Sequence, residues 1–187
     1  MTTQTSIHGA TKRRTGTVTA LAVAVGAALA AAGATARADA PPAEVQTVMD
    51  QMAGTWSVKG ASVQVQGRAL KSDSQAVCEK AAGGWALRCK VTVTTGERRD
   101  ELVQVLSWDR PTRVFHLYSA SNSGDSHDHT GSFDGKTLDL KYEGTRDGKP
   151  FVENLAFTLR GRHELGWKDT CALGGEVIFS GEATYRK

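Results

Sequence analysis

The chain has 187 residues, 40% of them hydrophobic and 23% charged, with 23 Lys+Arg against 20 Asp+Glu and a formal net charge of +3. Four of the basic residues (Lys12, Arg13, Arg14 and Arg37) fall in residues 1–38, which hold no acidic side chain, so the other 149 residues carry 19 basic and 20 acidic groups. The basic balance therefore belongs to the N-terminal segment and gives no support to nucleic-acid binding, while 149 residues suit one domain with a real core.

Residues 1–38 have the pattern of an export signal. Lys12 to Arg14 form a positive start, Val18 to Gly33 an alanine-rich apolar stretch, and Ala36-Arg37-Ala38 a small-x-small cleavage pattern ahead of Asp39. The apolar stretch is short for a membrane span of about 20 residues. The expectation is an exported chain, periplasmic or secreted, whose mature domain is 39–187, monomeric and without a membrane span. Arg13-Arg14 leaves general and twin-arginine export both open.

From Ala43 to Ala53 the apolar residues Val45, Val48, Met49 and Met52 recur at i, i+3, i+4 and i+7, which predicts a short amphipathic helix. Gly54-Thr55-Trp56 follows and opens a long β-type region in which strands alternate with turns. The clearest strand, Leu138 to Glu143, has strict period two, so one face is buried and the other wet. Asp134-Gly135, Asp147-Gly148 and Gly174-Gly175 mark hairpins. The segments between turns give about nine or ten strands, near 55–66, 69–80, 85–95, 101–109, 112–120, 127–133, 136–144, 151–161, 163–172 and 176–186. Consecutive hairpins favour an antiparallel up-and-down β-barrel of about 8–10 strands, capped by the helix, over a sandwich.

Cys78 and Cys89 flank the turn-like Ala81-Ala82-Gly83-Gly84, and a hairpin centred on residues 83 and 84 sets them opposite each other. A cross-strand disulfide is expected, in keeping with an oxidising compartment. Cys171 is left over and is expected to be buried and inert.

His127-Asp128-His129 is the stretch most like a site, because on a strand both imidazoles share a face and Asp125 could add an oxygen. Two histidines make an incomplete metal site, and the polar run Ser119 to Ser126 beside them predicts solvated side chains. No metal and no cofactor is therefore expected. No G-x-S-x-G elbow or base-paired nucleophile is recognisable, so no enzymatic activity is expected.

The aromatics are spread over nearly all strands. Trp85, Trp108 and Tyr142, with His116 and Tyr118, are the candidate ligand-binding residues, with His116 and Tyr118 inward if Val114 is inward. Phe115 and Leu117, on the opposite face, compete for the same interior.

Gly54-Thr55-Trp56 after a short helix, with Trp108-Asp109, Gly131-x-Phe133-Asp134-Gly135 and Glu182-x-x-Tyr185-Arg186, resembles a bacterial calycin-like domain family of unknown function, DUF1579. The resemblance implies a lipocalin-like barrel, a pocket, and no assigned chemistry. It further implies that Trp56 lies across the barrel base with Arg186 packed on its face in a cation–π contact, Arg162 being a substitute. The function expected is binding of a small apolar or amphipathic molecule, and the alternative is a solid-cored structural or interaction module of the cell envelope.

Overall fold

The computed structural model describes residues 39–187; the export-signal expectation concerns residues outside this range. Helix α1 (Ala43–Met52) is followed by ten strands: β1 (Gly54–Val65), β2 (Arg68–Ala81), β3 (Ala86–Thr95), β4 (Arg98–Asp109), β5 (Val114–Ser121), β6 (Ser126–Phe133), β7 (Thr137–Arg146), β8 (Lys149–Leu159), β9 (Glu164–Leu173) and β10 (Glu176–Arg186). Each strand pairs antiparallel with its sequence neighbour, and β10 returns to β1, closing the barrel. Closure leaves no free sheet edge, which up-and-down connectivity with tight turns achieves most simply.

Side-chain alternation sorts the sequence into wall and interior. On β7, Leu138 and Leu140 are buried while Asp139 and Lys141 are exposed. On β1 the register shifts between Val58 and Ala61, at Gly60, so the inward set passes from Trp56 and Val58 to Ala61, Val63 and Val65.

Helix α1 buries Val45, Val48, Met49 and Met52 against the barrel. These four side chains plug the end where β1 begins and β10 ends. The turn out of α1 needs Gly54, whose φ of +123° is a glycine conformation and whose missing Cβ would lie 2.9 Å from Lys187 Cε. Trp56 is 2% exposed, and its indole N–H donates to the Met52 carbonyl at 2.8 Å. The cation on its face is Lys187, with Nζ 4.5 Å from the ring centroid. Arg186, the residue expected there, is exposed and pairs instead with Glu164 at 3.8 Å. The reason is parity: Tyr185 turns inward on β10, so Arg186 faces water.

Cys78 and Cys89 are directly opposite in the β2–β3 ladder and form a disulfide. Both are buried at the helix-capped end. Cys171 is a free thiol on β9. Among the described residues, no helix is long and apolar enough to cross a membrane.

Candidate functional site

The barrel encloses a cavity of about 510 Å³. It runs from Met52, Trp56 and Leu87 at the helix-capped end to Arg98, Ser123 and Asp125 at the opposite mouth, and those three mouth residues are exposed. Most of the wall is apolar, from Val58 and Val63 on β1 round to Leu102 and Leu106 on β4. One sector is not. His127 and His129 on β6, Glu153 on β8, and Asp169 and Cys171 on β9 all turn their polar atoms inward.

Their convergence follows from strand register. His127 and His129 are two residues apart and share the inner face. Glu153 lies opposite Cys171 in the β8–β9 ladder, and Asp169 is the next inward residue of β9. Strand β7 stands between β6 and β8, yet Glu153 reaches the histidines past it. The β6–β7 ladder runs only from Thr130–Lys141 to Phe133–Leu138, so the strands part towards the mouth. There Tyr142 lies back along its own strand, over Gly144, where a Cβ would collide with its hydroxyl. The Tyr142 ring stacks on His127 at 4.3 Å between centroids and 11° between planes, which braces the imidazole from behind.

Glu153 Oε2 is the hub. It lies 2.7 Å from His127 Nδ1 and 3.1 Å from His129 Nε2. His129 is 2% exposed, and its Nδ1 lies 3.3 Å from the Leu117 carbonyl, to which it donates. That bond leaves Nε2 pointing at Glu153, but out of alignment for a hydrogen bond, and Nε2 has no other partner among the described residues.

The electrostatics follow from burial opposed by proximity. Burial alone would lower His129, but the adjoining Glu153 carboxylate outweighs it and raises the imidazole above its ordinary value. Burial would raise Glu153, but His129 and His127 prevail and hold it below the usual carboxylate range. For Asp169 the charge of His129 and the Cys171 contact offset burial only in part. Burial, then the charge of Glu153, pushes it up to about 7. Burial and the two carboxylates push the Cys171 thiol far upward, so it is a neutral thiol rather than a nucleophile.

The residues singled out from sequence have varied positions. His116 and Tyr118 do not line the cavity: Phe115 and Leu117 are the buried pair, so their neighbours face solvent, where His116 meets Asp128 at 3.3 Å. Trp85 lies outside the cavity beyond the end of β2, its indole N–H donating to the Asp39 carbonyl at 3.1 Å. Trp108 packs edge-on to Phe115 in the core at 4.8 Å and also does not line the cavity. Tyr142 does not line the cavity and stacks on His127. His127 and His129, expected to be solvated, are inside instead, because the polar loop is shorter than supposed: β6 begins at Ser126 and carries both rings into the barrel. Asp125 stays at the rim, 3.5 Å from Arg146.

Glu153 and Asp169 were not anticipated from sequence. Their signal is a carboxylate at an inward step of an apolar alternation: Phe151, Glu153, Leu155, Phe157 on β8, and Leu165, Trp167, Asp169, Cys171 on β9.

No protein-family profile matches the chain, and no curated protein sequence matches it either. Among solved structures it is similar to an S-type phycobiliprotein lyase from Guillardia theta, with a TM-score of 0.50 and 13% sequence identity. The match covers 76% of this chain and 92% of that one. At this identity the likeness is one of fold.

Proposed function

We propose that this protein is an exported barrel that binds one small amphipathic molecule, its apolar body along the β1–β4 wall and its polar end at the His127–His129–Glu153 sector. The observation that carries the reading is the 510 Å³ cavity, which joins a mostly apolar wall to a titratable sector at His127, His129 and Glu153. Small-molecule sites are of this kind, about 300–1,000 Å³ and mostly apolar with a few placed polar groups. A solid-cored module has no use for such a space, and buried carboxylates and imidazoles facing it are costly unless something is recognised there.

Export is supported by the leader pattern of residues 1–38 and by the Cys78–Cys89 disulfide, a bond that persists in oxidising compartments. Kinship with the calycin-like DUF1579 domains belongs to the same proposal and rests on Gly54-Thr55-Trp56 and the turn motifs. The phycobiliprotein lyase supports the barrel alone, and the proposal is of binding rather than turnover.

Native mass spectrometry of protein purified from its own host should show a small molecule bound at one per chain. In delipidated protein, a polarity-sensitive apolar fluorophore should bind saturably. Ser119→Trp, which fills the cavity from β5, should weaken that probe by at least ~10-fold with the melting temperature little changed. Protein that carries no small molecule and never saturates with the probe would overturn the reading.

A further inference from the structure

We propose that His127, His129 and Glu153 form a binding site for one divalent first-row transition ion of the zinc type, its open coordination positions facing the barrel cavity. Imidazole nitrogen with one carboxylate is a donor set for such ions. The ligand atoms lie within 4.8 Å of one another. Ions of this class bind at about 2.1 Å, which sets neighbouring ligand atoms roughly 3.0–3.4 Å apart. The 2.7 and 3.1 Å separations about Glu153 Oε2 are close to that spacing, so small side-chain rotations complete the site.

The second observation is the orphaned nitrogen of His129. With Nδ1–H given to the Leu117 carbonyl, the buried Nε2 lies 3.1 Å from Glu153 Oε2 and has no hydrogen-bond partner among the described residues. A divalent ion that displaces a proton from Nε2 would be held by that nitrogen and by the carboxylate together. The backbone contact has a further role, since a carbonyl on the far nitrogen fixes the tautomer and ring plane of a metal-binding histidine. The Tyr142 stack holds the ring plane of His127. Both rings are thus oriented before any ion arrives. Asp128, between them in sequence, points to the outer face and is no ligand.

The inference goes beyond ligand binding and is tested without it. Chelator-stripped protein is titrated with Zn²⁺ by calorimetry and with Co²⁺ by visible absorption, in the absence of any organic ligand. One equivalent should bind, at micromolar affinity or tighter. At 100-fold excess over Kd the melting temperature should rise by about 5–10 °C. Glu153→Gln and His127→Ala, whose folding is checked by circular dichroism, should each weaken binding by ~100-fold or more, as should His129→Ala if it folds. His116→Ala, on the outer face, should change nothing.

No saturable binding at one equivalent would overturn the assignment. So would affinity that survives Glu153→Gln and His127→Ala, which marks an adventitious surface site. Loss on Cys171→Ser with the histidine variants unaffected would place the ion among Glu153, Asp169 and Cys171, and would equally overturn it. Apolar-probe binding is read separately, so either result can fail alone.

Discussion

Single residues in this barrel do work that their neighbours cannot take over. Trp56 closes the base: it is buried, bonded to the end of α1 through its N–H, and covered by Lys187. Trp56→Ala should cost about 3–5 kcal/mol in urea unfolding, a large share of a domain's usual margin, whereas Trp85→Ala, at a partly exposed position, should cost much less. Asp169 acts in the opposite sense. Its carboxyl ordinarily titrates near 3.8 and is raised to about 7 in the fold. Below pH 4 it is protonated in both folded and unfolded chains, and stability is untouched. Between about pH 4 and 7 only the unfolded chain releases the proton, so the contribution to stability falls as pH rises, and it levels off above 7. Asp169→Asn removes that loss. In chelator-treated protein, the stability of the variant relative to the parent should grow by on the order of 3 kcal/mol from pH 4 to pH 8. A constant difference across that range would mean that Asp169 ionises normally.

At the scale of elements, most of the architecture is legible from the chain. The i, i+3, i+4, i+7 stripe gives α1 to within a residue, and the turns between apolar runs, four of them Asp-Gly or Gly-Gly, place the ten strands, because local backbone preference and one-sided burial act within a few residues. Register across the β2–β3 hairpin is equally local, which is why the Cys78–Cys89 pairing follows from the turn between them. The face of a strand is harder. On β5 both alternations are half apolar, and only contact with β4 and β6 decides that Phe115 and Leu117 go inward. Arg186 fails in the same way, by one residue of parity. Least legible is the parting of β6 from β7, which depends on packing between strands that no short motif records. From Ser126 to His129, strand β6 has a ladder partner on the β5 side alone. Amide hydrogen exchange should therefore be faster in Ser126–Asp128 and Tyr142–Arg146 than in the β2–β3 ladder by at least ~10-fold. Equal protection in the two regions would show that the seam is closed in solution.

At the scale of the molecule, the closed barrel and its interior were within reach of sequence, but the composition of the wall was not. Inwardness along a strand is periodic, yet which inward residues meet depends on the shear of ten strands, and Glu153 joins His127 from 26 residues away in the chain. Aromatics were the visible candidates. Trp85, Trp108, Tyr118 and Tyr142 lie off the cavity, while Trp56, Phe157, Trp167, Phe179 and Tyr185 line it beside aliphatic residues and the titratable sector.

The disulfide has a mechanical consequence. Cys78–Cys89 clamps the barrel beside α1, the end already plugged by the helix, and the mouth carries no covalent tie among the described residues. A loop of this size stiffens the chain by about 2–3 kcal/mol. Thermal breathing is thereby directed away from the sealed end and towards the rim, where Asp125 and Arg146 meet and where β6 and β7 part. The vessel is rigid at its foot and compliant at its lip, so on the proposed function a ligand would enter at one end and approach the His127–His129–Glu153 sector from a single direction.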